Sequence, residues 1–173
     1  MITAGTKRAR VAVVAAAVVG GSVAVWATAP LGFLVNQTLA VGLISGGLSQ
    51  HMQVNKNADG SVTPWQLQLQ INGDTDYYSH RLVIAPGGYS GWHSHPGILI
   101  GAVKTGQVDY YDERCRMHTV HAGEVFTDND KMHAIINTGN VDADMYLTFL
   151  VKHGAPRRLE EAAPDCAIDT PIP

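Results

Sequence analysis

The sequence predicts an all-β domain, an antiparallel sandwich or barrel, on three observations. Between Trp65 and Lys152 it holds a succession of short runs rich in β-branched and aromatic residues, turn residues separate most of them, and no convincing amphipathic helical period competes. The 173 residues give room for one compact domain with a sizeable core. No internal repeat or low-complexity tract appears, so each motif occurs at most once and a two-barrel arrangement is excluded.

Taken in order, the first segment is targeting or anchoring sequence. The uncharged run Val11 to Ala29 follows Lys7, Arg8 and Arg10, which is the order of an export signal, and it just reaches the span of one membrane helix. Ala27 and Ala29 suit a signal peptidase. Pro30 constrains the backbone after Ala29, so a cut after Ala27 fits better, and cleaved and anchored forms both stay open. From Leu31 to Gln50 the chain is apolar but broken by Gly32, Asn36, Gln37, Gly42, Gly46 and Gly47, which predicts one or two edge strands rather than a second membrane helix. Asn55 to Ser61 has turn composition. The strand-like runs that follow are WQLQLQI, YYSHRLVIA, GILIGAVK, QVDYYD, EVFTD, HAIIN and DMYLTFLVK. In the first of these, Trp65, Leu67, Leu69 and Ile71 alternate with glutamines, the pattern of a half-buried strand with one wet face. From Gly154 onward, four prolines and few large apolar residues predict a tail. The expected organisation is therefore an export signal or anchor over 1–29, a domain over 30–154 and a C-terminal tail over 155–173.

After the apolar run the chain carries 9 basic against 15 acidic residues, which argues against nucleic acid or an anionic membrane surface as partner. Cys115 and Cys166 are the only cysteines. In an oxidising compartment such a pair is more readily a disulfide than two thiols, and closing that loop stabilises the fold by roughly 4 kcal/mol in the chain-entropy model. In a cytosolic protein two unrelated thiols would be the favoured reading. No nucleophile elbow, phosphate loop, HExxH or basic aromatic patch is present, so hydrolase, nucleotide and RNA readings have no support.

In WHSHPG, His93 and His95 are two apart, so on a strand both imidazoles face one point. Neutral imidazole is a nitrogen ligand for zinc, iron, copper and nickel. An HxH alone is weak evidence, but Gly87 and Gly88 precede this pair, Gly106 follows it, and Gly123 opens a segment leading to His133 and Asn137. The arrangement resembles the two motifs of the cupin superfamily: a glycine, five residues, HxH and a spaced glycine, then a glycine leading to a histidine with an asparagine four on. Gly87, His93, His95 and Gly106 match the first, and Gly123, His133 and Asn137 the second, and the likeness runs from about Leu31 to Lys152. It is closest to small, secreted, single-domain cupins with a GWHSHPG stretch and a cysteine pair. The resemblance implies an antiparallel cupin β-barrel, the double-stranded β-helix or jelly roll, with a divalent metal ion of iron, copper, zinc or nickel on His93, His95 and His133.

Two departures bear on function. The glutamate that usually follows the second histidine by four or five residues is replaced by Leu99 and Ile100, so the fourth protein ligand is missing. The proline and glycine that usually precede the second-motif histidine are absent from TDNDKMH, which is about one residue shorter. Three neutral imidazoles leave a divalent ion its full charge and at least one open position, which suits a Lewis-acid or oxygen-binding centre. Similar three-histidine sites occur in cupin dioxygenases, so the expected function is an exported metal-binding cupin of oxygen-dependent oxidoreductase type acting on a small molecule. The alternative is a non-catalytic barrel binding metal or a small ligand, and a third class, the metal-free sugar-epimerase-like cupins, is disfavoured by the scarcity of Lys and Arg near the motifs. A homodimer stays open. Asp128 or Glu124 could compensate for the missing carboxylate through a hydrogen bond to a ligand, but both read more simply as exposed turn residues. His118 and His121 read as surface residues of a loop, and His80 could line the cavity but reads more simply as a satisfied strand histidine. Gln107, Tyr110 and Tyr111 are candidate substrate neighbours, the tyrosines more simply packing residues.

Overall fold

A computed structural model describes residues 28–54 and 56–172. The expected signal or anchor lies outside them, except for its last two residues. Among the described residues no helix is long and apolar enough to cross a membrane. The described residues form twelve strands: β1 (Leu31–Ile44), β2 (Gly47–Val54), β3 (Trp65–Asn72), β4 (Thr75–Tyr89), β5 (His93–Ser94), β6 (Gly97–Thr105), β7 (Gln107–Tyr111), β8 (Met117–His121), β9 (Val125–Asp128), β10 (Ala134–Ile136), β11 (Ala143–Lys152) and β12 (Leu159–Glu160), followed by a 3-10 turn over Asp165–Asp169.

Strands β8, β7, β10, β4, β11, β6 and β9 lie side by side in that order with β1 on the second edge of β4, all antiparallel, in a nearly closed barrel. β4 pairs with β11 over Thr75–Ile84 and then with β10 at Tyr89, so it passes from one wall to the other. The bend lies at Pro86–Gly87–Gly88. A Cβ at Gly88 would stand 2.7 Å from Ile84 Cγ2 and 2.9 Å from the Leu31 carbonyl oxygen, so only glycine fits. Asn137 fastens this bend from the opposite strand. Its backbone pairs with Gly87 and Gly88, its Nδ2 donates to the carbonyls of Ile84 and Val141, and its Oδ1 accepts from Gly139 N. At the β6–β7 turn Gly106 has φ +74°, and a side chain there would strike the Asp142 carbonyl at 2.7 Å.

The barrel is filled by alternate residues of facing strands, among them Leu82, Ile84, Leu99, Val103, Met145 and Phe149. A second cluster joins Trp92, Tyr111 and Ile136 to Ala167 and Ile172 of the C-terminal tail. Cys115 and Cys166 form a disulfide that closes the tail onto the β7–β8 turn. The tail is therefore packed structure, and its β12 pairs with β5 at the histidine motif.

Two local expectations change. His118 and His121 belong to strand β8, not to a loop, although both are exposed as expected. β3 pairs with β2 in a separate two-stranded arm, and its apolar face is half-buried at Leu69 and Ile71 only: Trp65 is 51% and Leu67 49% exposed. The alternation specifies the strand, while burial requires a layer to lie against it, and nothing among the described residues covers Trp65 and Leu67.

Candidate metal centre

The His-Ser-His segment is only two residues of strand, held from both sides. His93 exchanges both backbone hydrogen bonds with His133 at 2.9 and 2.8 Å, while Ser94 and His93 face Leu159 and Glu160 of β12. His93 and His95 therefore point inward together, and the bridge brings His133 opposite them. Ring centroids lie 4.3 Å apart for His93–His133, 4.9 Å for His93–His95 and 5.1 Å for His95–His133. One nitrogen from each ring falls within 4.8 Å of the others, and all three residues are buried.

The outer nitrogens fix the tautomers. His93 Nδ1 lies 2.9 Å from the Gly91 carbonyl, His95 Nδ1 2.6 Å from that of Arg157, and His133 Nδ1 3.0 Å from that of Lys131. A carbonyl oxygen only accepts, so each Nδ1 carries the hydrogen and each Nε2 is left with its lone pair. This is the arrangement that orients an imidazole toward a metal ion. Burial keeps the rings neutral: it lowers the pKa of His95 and of His133 to about 4, and holds that of His93 well below the usual value.

Asp128 is the principal correction to the sequence reading. It is not an exposed turn residue: its side chain is 1% exposed and lines the same cavity as the three histidines. Its Oδ2 stands 3.2 Å from His133 Nε2, and the Tyr110 hydroxyl donates to the carboxylate. Oδ1 is buried with no hydrogen-bond partner among the described residues. Because His133 Nε2 is unprotonated in the neutral ring, the 3.2 Å contact sets two acceptors against each other, an arrangement that needs a proton or a cation between them. Adjacent ligands of one ion, each about 2.1 Å from it, are themselves about 3 Å apart. The three oriented lone pairs thus fit a divalent ion, with a buried carboxylate oxygen beside one of them. Burial raises the Asp128 pKa to about 6. The signal that could have found it is the alternation in β9, where Phe126 and Asp128 point inward and Val125 and Thr127 outward.

The register places Asp128 directly across from Leu99. Leu99 is one of the two positions where the resemblance expects a glutamate, and a carboxylate stands on the neighbouring strand instead, beside His133 but outside the group of three imidazoles whose ligand atoms converge. Glu124 stays exposed and accepts from His121 N in its turn. Tyr110 stacks on His133 at 5.4 Å between centroids, and burial together with Asp128 raises its pKa. Tyr111 packs in the second cluster.

The centre opens into a cavity of about 150 Å³ walled by Phe33, Leu82, Leu99, Phe126, Ile135, Leu147 and Phe149, with His80, Arg157 and Arg158 among its polar lining. His80 thus lines the site as well as belonging to a strand. The two arginines come from the tail and were not singled out by the sequence.

Comparison with known proteins agrees with the family likeness. A family profile described as a cupin domain matches residues 80–149. Among solved structures, this chain resembles an oxalate oxidase at 27% identity over 44% of this chain and 46% of that one, with a TM-score of 0.39. It also resembles a protein described as a predicted oxalate decarboxylase from Thermotoga maritima (23% identity, 46% and 83% coverage, TM-score 0.40) and a protein with a double-stranded beta-helix domain from Klebsiella pneumoniae (15% identity, 66% and 84% coverage, TM-score 0.43). The aligned part spans about half the length of the oxalate oxidase chain. A search of curated proteins finds no match.

Proposed function

We propose, for a chain that belongs to the cupin superfamily, that His93, His95 and His133 hold a divalent ion of iron, copper, zinc or nickel and that the centre serves an oxygen-dependent oxidation of a small molecule outside the cytoplasm. The observation that carries the reading is the convergence of three buried imidazoles whose Nδ1 hydrogens are all spent on backbone carbonyls, leaving three lone pairs aimed at one point. Three neutral ligands leave positions open on the cavity side. A bound ion supplies a Lewis acid there, and iron or copper in addition the redox chemistry that reaction with dioxygen requires.

The chain's own residues divide the remaining work. Leu82, Leu99, Phe126 and Ile135 exclude water around the centre, which strengthens every electrostatic contact within it. Asp128 supplies, on the strand beside Leu99, the negative charge that β6 lacks there. Tyr110 and the Lys131 carbonyl hold Asp128 and His133 in place.

Export is supported by the basic residues followed by an uncharged run at the N-terminus and by the Cys115–Cys166 disulfide, a bond that persists in oxidising compartments. Two experiments test the reading. Fractionation of cells producing the full chain should place it outside the cytoplasm, and full-length protein in the soluble cytoplasm contradicts export. Elemental analysis after gentle isolation, followed by oxygen-uptake measurements, should find iron or copper and oxygen consumption with a small-molecule substrate. Zinc without oxygen uptake points instead to the non-catalytic barrel.

A further inference from the structure

We propose that the cavity takes a small carboxylic acid, as its carboxylate, with Arg157 as the residue that receives it. The inference deepens the metal-centre reading, on which it rests for the ligand's second contact, and it starts from an arginine that the fold treats unlike the others. Among the described residues Arg81, Arg114, Arg116 and Arg158 each have a carboxylate within 4 Å: Asp144, Glu113, Asp112 and Glu160 respectively. Arg157 has none.

Its guanidinium is nonetheless fixed in position. It lies over the Tyr78 ring at 4.9 Å and the Phe149 ring at 5.6 Å, and Nη1 donates to His80 Nδ1 at 3.1 Å. Arginine has no acceptor, so His80 accepts at Nδ1 and its Nε2–H donates to Asn36 Oδ1 at 2.7 Å. Burial and the arginine together keep His80 neutral, with its pKa lowered to about 4. Asn36 is exposed, Arg157 half-buried and His80 buried, and all three line the same cavity as the three buried histidines.

Charge and size together define the ligand. Arg158 is matched by Glu160, Asp128 contributes one negative charge, and a divalent ion with Arg157 contributes three positive ones, so the cavity retains a net positive charge of two, which one carboxylate halves. The planar donor fork of an arginine matches a carboxylate in two parallel hydrogen bonds. The remaining walls are apolar, and a cavity of about 150 Å³ accommodates a body about the size of benzene. Arg157 lies outside the 80–149 stretch that matches the family profile, so this specificity belongs to the tail of this chain rather than to the shared barrel. The same residue's carbonyl holds His95, which places the anion-binding group and one metal ligand on a single backbone unit.

The test uses the full chain as isolated and three acids, propionate, isobutyrate and benzoate, each against its neutral amide, with binding measured by calorimetry and metal content determined on the same preparations. The acids should bind at least about tenfold more tightly than their amides, and Arg157→Gln should weaken the acids by a similar factor without affecting the amides. Arg157→Lys should retain part of the preference. Metal content should be unchanged in both variants, because the carbonyl that holds His95 belongs to the backbone. Equal binding of acid and amide, no binding of any of the three acids, or wild-type binding by Arg157→Gln overturns the proposal. Arg157-dependent acid binding by protein that contains no metal upholds the carboxylate site and refutes the metal-centre reading instead.

Discussion

Reduction of the Cys115–Cys166 disulfide should destabilise the barrel and loosen the metal centre together. The bridge joins residues 51 apart, which in the chain-entropy model contributes about 4 kcal/mol through the unfolded state. For a domain of this size each kcal/mol moves Tm by about 3 °C, so the melting temperature should fall by about 12 °C. The structure adds a local effect. The tail that the bridge secures donates from Glu161 N to the Trp92 carbonyl, accepts from Ser94 Oγ at Glu161 Oε1, donates from Arg158 to the Ser90 carbonyl and takes the Nδ1 hydrogen of His95 on the Arg157 carbonyl. Freeing the tail removes the partner that orients His95, a loss that typically costs about 10–100-fold in metal affinity. The assay is thermal melting by circular dichroism of wild type and the Cys115→Ser/Cys166→Ser double variant, first with a chelator present and then with added metal. Competition with a chromophoric chelator gives the affinities. A double variant that melts within about 2 °C of wild type, or that binds metal equally well, refutes the reasoning. So does finding two reactive thiols per chain in denatured, unreduced protein.

Asn137→Ala should cost about 2–4 kcal/mol, because the buried Ile84 carbonyl and two part-buried backbone groups, at Val141 and Gly139, lose their partner; urea unfolding measures this, and a loss under about 1 kcal/mol contradicts its role in fastening the β4 bend. Leu99→Glu sets a second buried carboxylate across from Asp128, so the metal-free protein should lose stability while metal affinity rises and the open coordination positions narrow; unchanged affinity in chelator competition argues against an ion beside Leu99. The metal-free protein should also weaken in mild acid. His93, His95 and His133 have folded pKa values below the unfolded value near 6.5, so the stability their neutral forms permit is present above about pH 6.5 and is lost as pH falls toward about 4. His80, also lowered to about 4, acts with these three. Asp128, raised to about 6, acts in the opposite sense, contributing stability below its unfolded value near 3.9 that is lost as pH rises through about 6. His153, raised by its hydrogen bond to Asp76, acts with Asp128, which leaves four groups against two. A urea midpoint that rises between pH 7 and pH 5 with chelator present contradicts this balance.

The barrel was legible because most of its strands announce themselves through alternation and glycine turns, and the histidine motifs through spacing. Strand β8 escaped notice because in Met117–His121 only Val120 is buried, so the segment shows no apolar period. The burial of Asp128 was hidden by its neighbours. Asp128, Asn129 and Asp130 have turn composition, yet β9 runs to the first of them and the pleat turns that side chain inward beside His133. The exposed first half of β3, at Trp65 and Leu67, shows the reverse limit, since alternation specifies a strand without specifying what covers it. The contribution of the tail to the site was not legible at all. Pairing of Leu159 with Ser94 and the bond from His95 to the Arg157 carbonyl join residues about sixty apart, and no local pattern encodes that contact.

Metal stoichiometry of the purified chain, by elemental analysis after gentle isolation, tests the central claim most directly when wild type is set beside His93→Ala, His95→Ala, His133→Ala and the surface variants His118→Ala and His121→Ala. The account predicts about one divalent ion per wild-type chain, a steep loss in each of the three buried variants, where two imidazoles are too few to hold the ion firmly, and full retention in the two β8 variants. Wild-type metal content in His93→Ala and His133→Ala would contradict it and leave the barrel a plain ligand-binding pocket.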